Sequence, residues 1–227
     1  MPRIARLVVP GYPHHITQRG NYRQNIFSDD TDRRRYLNLV ADYSQKFRLK
    51  LLAYCLMDNH VHFIVMPDSE ESIADTFHIV HTVYSQYFNK KNSVTGHLLQ
   101  GRYYSCVLDE RHLLAAARYV ERNPVRVKTV KDPTGYIWSS ARGHAAVSNH
   151  DIINTDSLFD YIEIKQNKWK DFINQSDDPD EVSVIRKCTA SGRPLGNNIF
   201  VQKLEKISGQ ILHALPVGRP KKLSSKK

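Results

Sequence analysis

Two hydrophobic periods take turns along the chain, and their order sketches a fold. After the Pro10-Gly11-Tyr12-Pro13 turn, His14-His15-Ile16-Thr17-Gln18-Arg19 reads as a first strand that ends at Gly20. Tyr36, Val40, Tyr43 and Phe47 then recur at spacings of four, three and four. That period predicts a helix capped by Asp30 or Asp32 and buried on one side, with Arg33, Arg34 and Arg35 on its solvated side. Leu49 through Met57 predicts a second strand and Asp58-Asn59 a tight hairpin turn; the strand from His60 to Met66 is then central. The stripe Ile73, Phe77, Val80, Tyr84 and Phe88 predicts a helix from Ser72 to about Asn89 with its aromatics in the core. Gly96 to Gly101 is a loop and Arg102 through Leu108 a fourth strand. A further helix starts at Asp109 or Glu110, with Leu113, Leu114, Ala117 and Val120 in one stripe.

The order β-α-β-β-α-β followed by a helix predicts an α+β fold. It is the ferredoxin-like, RRM-like split β-α-β arrangement, a central antiparallel sheet with helices on one face. The opposite face is expected to stay open to a ligand. After Trp138-Ser139-Ser140-Ala141-Arg142 the pattern weakens. Short helical candidates lie at 157–168 and 179–187, and Phe200, Leu204, Ile207 and Ile211 form a stripe over 198–211. The chain thus divides into a domain over 1–146, a C-terminal helical extension over 147–215 and a basic tail over 216–227.

Composition narrows the partners. The 227 residues hold 33 Lys and Arg against 23 Asp and Glu, a net charge of +10, within an ordinary globular balance of 41% hydrophobic and 25% charged residues. An acidic polymer suits that charge, nucleic acid above all, although solubility or an anionic membrane surface would use it too. Cys55, Cys106 and Cys188 contain no C-x-x-C pair, so neither a disulfide framework nor a zinc ribbon is expected, and a reducing cytoplasm fits. The apolar part of the N-terminus breaks at Pro10-Gly11, too soon for a signal peptide, and no apolar run approaches the ~20 residues of a membrane helix. A soluble cytoplasmic protein is the expectation.

Candidate chemistry begins with His60-Val61-His62. In a strand, residues i and i+2 share a face roughly 6–7 Å apart, so both imidazoles point the same way, as a divalent metal with open positions requires. A plain polar pair on a solvated face would look the same. On the next predicted helix Tyr119 sits off the apolar stripe, and Asn123, one turn on, reaches toward the same point. Pro124 is expected to end that helix, leaving Asn123 near a helix C-terminus that favours a cation. Two imidazoles and a carbonyl oxygen form a mixed set compatible with Mg²⁺ or Mn²⁺. Tyr103 and Tyr104, in a basic aromatic strand, read as packing or base-stacking groups. Arg19, Asn21, Arg23 and Gln24 decorate a loop that either holds phosphates or is merely solvated.

Several separated blocks then converge on one family. Pro2-Arg3, Arg6-Leu7-Val8-Val9-Pro10-Gly11, Pro13-His14-His15-Ile16-Thr17-Gln18-Arg19-Gly20-Asn21, Met57-Asp58-Asn59-His60-Val61-His62, Gln100-Gly101-Arg102, Tyr119 through Arg126 and Trp138-Ser139-Ser140 occur in that order. Over residues 2 to about 145 the chain resembles REP-associated tyrosine transposases, and Ser191 through Gly196 resembles their C-terminal part. The resemblance implies a single-tyrosine HUH endonuclease that cuts and rejoins single-stranded DNA beside REP or BIME hairpins. Carried over by motif, His60 and His62 are metal ligands, Asn123 an additional ligand and Tyr119 the nucleophile that forms a 5′-phosphotyrosine; Val61 meets the middle position of HUH. Related insertion-sequence transposases often carry Gln where Asn123 stands. The implied cofactor is a divalent metal, Mg²⁺ or Mn²⁺, and the implied partner is hairpin-bearing single-stranded DNA. No membrane and no nucleotide cofactor are expected, since no G-x-x-x-x-G-K-[ST] loop occurs. Arg19, Arg23, Arg102, Arg126, Arg219, Lys221 and Lys222 are the expected DNA-facing cations, the last three around a Gly-Arg-Pro resembling a minor-groove hook. The protein is expected as monomer or homodimer. The alternatives are a catalytically silent hairpin-DNA-binding regulator and a metal hydrolase using the histidines alone.

Overall fold

Val61, Phe63 and Val65 alternate with His60, His62 and Ile64 along one strand, and that alternation sorts the molecule into layers. The computed structural model describes residues 6–147 and 152–213. In chain order its elements are strand β1 (His14–Arg19), a 3₁₀ turn at Asn21–Arg23, helix α1 (Asp30–Lys46), strands β2 (Leu49–Met57) and β3 (His60–Pro67), helix α2 (Ser72–Asn92) and strand β4 (Tyr104–Val107). Helix α3 (Glu110–Glu121) follows, then the single turn α4 (Asn123–Arg126), a 3₁₀ turn at Pro133–Gly135, the short α5 (Ala141–His144) and a 3₁₀ turn at Asp156–Asp160. Helices α6 (Gln166–Asn174), α7 (Pro179–Ser191) and α8 (Asn198–Ser208) complete the set. Among the described residues no helix is long and apolar enough to cross a membrane.

The sheet order is β2-β3-β1-β4, with antiparallel pairing throughout, so the histidine strand is central as expected. Ile16, Tyr54, Leu56, Val61, Phe63 and Val65 pack against Tyr36, Leu37 and Val40 of α1 and Ile73, Phe77, Val80 and Tyr84 of α2. A one-residue slip of β3 would send these side chains to the other face, where each lost burial costs about 1.5–3 kcal/mol, so the register is firmly set.

Helices cover both faces, not one. Ala53, Cys55, Met57, Ile64 and Cys106 on the second face meet Leu113, Ala116, Ala117 and Val120 of α3, together with Trp169 and Ile173 of α6 and Ile185 of α7. The face expected to be open is therefore roofed. Periodicity along each helix showed which side is apolar but not which sheet face receives it.

Local differences have local causes. Asp29, not Asp30 or Asp32, caps α1 by accepting from the Asp32 N–H at 3.0 Å. Asp32 is fully buried and instead accepts from Lys91, Tyr87 and the Ser28 N–H. Pro124 does not stop the chain's winding: Arg126 N–H still bonds Arg122 O at 2.9 Å and Val127 N–H bonds Asn123 O at 3.1 Å. A proline in the first turn of α4 gives up an N–H that would have had no partner there. The predicted stripe near the C-terminus holds for Phe200 and Leu204, but α8 ends at Ser208 and leaves Ile207 and Ile211 exposed.

Glu121 anchors α3. It is fully buried and accepts from Ser140 Oγ at 2.6 Å, His144 Nδ1 at 2.5 Å and Trp169 Nε1 at 2.7 Å. Residues 138–140 also run beside β2, with Leu56 N–H to Trp138 O at 2.8 Å and Ser140 N–H to Tyr54 O at 3.0 Å. On the far side of the sheet, Leu195 N–H bonds Val107 O at 2.8 Å and Asp109 N–H bonds Leu195 O at 3.1 Å.

Candidate active site

Because β3 pairs His60 with Arg19, His62 with Thr17 and Ile64 with His15, the side chains of His15, Thr17 and Arg19 stand on the same face as the two histidines. The His60 and His62 rings lie 4.9 Å apart at 80°. His15 is buried beside them, its Nε2 2.9 Å from His62 Nδ1. Small residues of α3, Ala115 and Ala116, let the helix approach the sheet, and one turn on Tyr119 lays its ring 5.7 Å from His62 and 5.7 Å from His15, edge-on to both. The expected meeting of Tyr119 with the histidine pair is therefore present.

Tyr119 is only 5% exposed. The Arg126 guanidinium covers its ring at 4.3 Å, and the exposed Arg186 of α7 donates from Nε to the hydroxyl at 3.4 Å. Burial falls off toward solvent from His62, 5% exposed, to half-buried His60 and Arg19. The site is therefore open on the side of His60, Arg19 and Arg186.

Asn123 is placed differently from expectation. Its Nδ2 donates to the Tyr119 and Val120 carbonyls, both at 3.2 Å, and its Oδ1 accepts from Arg126 Nη1 at 3.1 Å. No hydrogen bond joins it to His60 or His62. Arg126, expected to face DNA, is turned inward: it pairs with Asp177 at 3.3 Å and donates to the Tyr119 carbonyl at 2.9 Å. Arg23 and Arg102 are exposed in the loops beside Arg19, near Tyr22, which is 94% exposed at φ +52°. Arg219, Lys221 and Lys222, with the tail over 216–227, lie outside the described residues.

Electrostatics keeps the histidines neutral. Burial pushes His15 down to about 3. Burial also lowers His60 to about 4, with Arg19 and Arg186 adding to the effect and Asp58 opposing it. His62 falls well below 6.5, through burial and then the neighbouring His60, His15, Arg126 and Arg19.

Neutral imidazoles are the form that ligates metal. The Nδ1 atoms of His60 and His62 are occupied, by Asn59 Oδ1 at 2.7 Å and by His15, while neither Nε2 has a hydrogen-bond partner among the described residues. That donor pair fits a divalent cation. Among the described residues no group of three or more His, Cys, Asp or Glu side chains is arranged to hold one, so any further oxygen comes from an amide, water or a phosphate.

Sequence reasoning missed His15, Arg186 and Thr189, whose Oγ1 lies 2.8 Å from His15 Nδ1. His15 was findable, because alternation on β1 places it on the Thr17 and Arg19 face. Nothing in the local pattern of α7 pointed to the sheet.

A family model described as "Transposase IS200 like" matches residues 9–123. Among solved structures, a REP-associated tyrosine transposase bound to a REP hairpin is similar at 16% identity and a TM-score of 0.52, covering 73% of this chain and 99% of its own. A Deinococcus radiodurans R1 protein described as a transposase is similar at 17% identity and a TM-score of 0.38, covering 53% of this chain and 96% of its own. No curated protein matches the chain. At such identities the first structural likeness is one of fold, and it agrees with the α+β architecture above.

Proposed function

Since the chain belongs to the IS200-like transposase family, we propose that it cuts and rejoins single-stranded DNA beside REP-type hairpins through a covalent 5′-phosphotyrosine at Tyr119. The observation that carries this reading is the Tyr119 ring 5.7 Å from His62 on the face where the His60 and His62 Nε2 atoms are free. His60 and His62 would hold Mg²⁺ or Mn²⁺. Asn123, whose side-chain oxygen now accepts from Arg126, would be the third ligand. Held there, such a cation would supply Lewis acidity toward a non-bridging phosphate oxygen.

The chain's own residues do the rest. A phenol titrates near pH 10 and is a weak nucleophile at neutral pH, so charge growing on its oxygen needs support. Arg186 donates to that oxygen and Arg126 lies over the ring. The Tyr119 hydroxyl gives up its proton to solvent as its oxygen bonds to phosphorus; the bond to the 3′ oxygen breaks, and that oxygen takes one proton from solvent to leave a 3′-OH. One phosphodiester replaces another, so rejoining needs no nucleotide cofactor. A hairpin partner is supported by the fold relative that was solved with a REP hairpin, and Arg19, Arg23 and Arg102 supply phosphate contacts at the half-buried His60 end.

With Mn²⁺ and a single-stranded REP oligonucleotide, wild type is expected to give a protein–DNA adduct on a denaturing gel. Tyr119→Phe is expected to abolish that adduct while hairpin binding persists; an adduct retained by the variant moves the nucleophile elsewhere. The burial of Tyr119 favours a second reading, a silent hairpin-binding regulator. Tight hairpin binding with no adduct from wild type would establish it.

A further inference from the structure

Three close contacts run in series behind His62. Thr189 Oγ1 lies 2.8 Å from Ile185 O, His15 Nδ1 lies 2.8 Å from Thr189 Oγ1, and His62 Nδ1 lies 2.9 Å from His15 Nε2. The His15 and His62 rings are within 10° of parallel, which suits a bond between ring nitrogens. Every atom in the series is buried with its residue. Such short buried contacts persist only if each contains one donor and one acceptor.

That requirement sets the direction of every proton. Ile185 O can only accept, so the single Thr189 hydroxyl proton points to it, a common back-bond within a helix. Thr189 Oγ1 is then an acceptor toward His15, whose proton must sit on Nδ1. His15 Nε2 is therefore a lone pair, and the His62 proton must sit on Nδ1 to meet it. The His62 Nε2 lone pair is left facing the site. Reversing the series would set Thr189 Oγ1 and Ile185 O against each other as two acceptors at 2.8 Å. The Cys106 thiol, 3.4 Å from Thr189 Oγ1, fits the same direction as a weak donor, since burial keeps it protonated.

His60 obeys the same logic separately. Asn59 Nδ2 donates to Arg23 O at 3.2 Å, which fixes the amide so that Oδ1 faces His60 Nδ1 at 2.7 Å. An oxygen acceptor there requires the His60 proton on Nδ1 and the lone pair on Nε2.

We propose that Thr189 and His15 are positioning residues that fix the tautomer of His62, so that helix α7 presets the histidine pair as a cation ligand. Thr189 lies beyond residues 9–123, the part that matches the transposase family model. The tautomer assignment stands on this chain's hydrogen bonds alone; its use for a cation rests on the functional reading above.

The test uses full-length protein labelled with ¹⁵N-histidine, without metal or DNA. Long-range ¹H–¹⁵N correlation spectra separate the protonated ring nitrogen from the one bearing a lone pair. We expect the Nδ1–H form at His15, His60 and His62. In Thr189→Val, which keeps the side-chain shape, His62 is expected to lose its single-tautomer signature while His60 keeps it. Mn²⁺ affinity should fall about tenfold or more, as for other residues that orient metal ligands. Thr189→Ser should restore both. An Nε2–H form at His62 in wild type, or an unchanged spectrum and Mn²⁺ affinity in a folded Thr189→Val protein, overturns the proposal. The adduct assay with Tyr119→Phe judges the functional reading independently.

Discussion

Two guanidiniums near one phenol have different jobs. Arg186 is exposed and donates to the Tyr119 oxygen, whereas Arg126 is spent on Asp177, Asn123 and the Tyr119 carbonyl. Arg186→Met is therefore expected to slow adduct formation about 10-fold or more with hairpin affinity little changed, because a donor aimed at developing charge acts mainly in the transition state. Single-turnover rates check it; an unchanged rate refutes the role. Arg23, exposed in its loop, is one of the proposed phosphate contacts instead. Arg23→Ala should flatten the plot of log affinity against log salt by about one unit, while Arg126→Ala should leave that slope alone. The placement of His60 and His62 on one strand face was legible because strand alternation is a short-range rule. The inward turn of Arg126 was not, because only the fold brings Asp177 to it.

At the level of elements, α3 carries Tyr119, the proposed nucleophile, and Glu121 holds α3 in place. Glu121→Ala strands the Ser140, His144 and Trp169 donors in the core and is expected to cost about 3–5 kcal/mol, read from urea unfolding. A loss below about 1 kcal/mol would show that the network relaxes around the change. The strands β1 and β2 were readable to the residue and β3 to within one, since alternation and the Asp58-Asn59 turn fix them locally. The packing of α7 on the sheet was not readable. Its buried Val182, Ile185 and Thr189 form an ordinary amphipathic stripe that names no partner. Pro124 misled for a related reason: a proline's effect depends on whether its missing N–H had a partner, and in the first turn of α4 it did not.

For the whole molecule, buried imidazoles couple stability to acidity. Burial pushes His14 down to about 4, despite its bond to the Tyr12 carbonyl, and His81 down to about 3. Unfolded imidazoles take up protons near 6.5 while these stay neutral, so the unfolded state binds more protons and stability falls as pH drops from 6.5 toward 4. Each contributes at most about 1.4 kcal/mol per pH unit. His144 opposes them: burial lowers it, but the Glu121 carboxylate, the Thr155 carbonyl and Asp156 together raise it, so its contribution is present at low pH and fades as pH rises. His15, His60 and His62 are lowered in the same way, so five imidazoles act against one; the melting temperature should be lower at pH 5 than at pH 7, and an equal or higher value at pH 5 would contradict this account.

The segments at Trp138–Ser140 and Leu195 occupy part of each rim of the sheet, along β2 and at the end of β4. Where those segments lie, a second copy of the chain finds no open backbone to extend the sheet, which leaves less of its edge for fibril-like stacking.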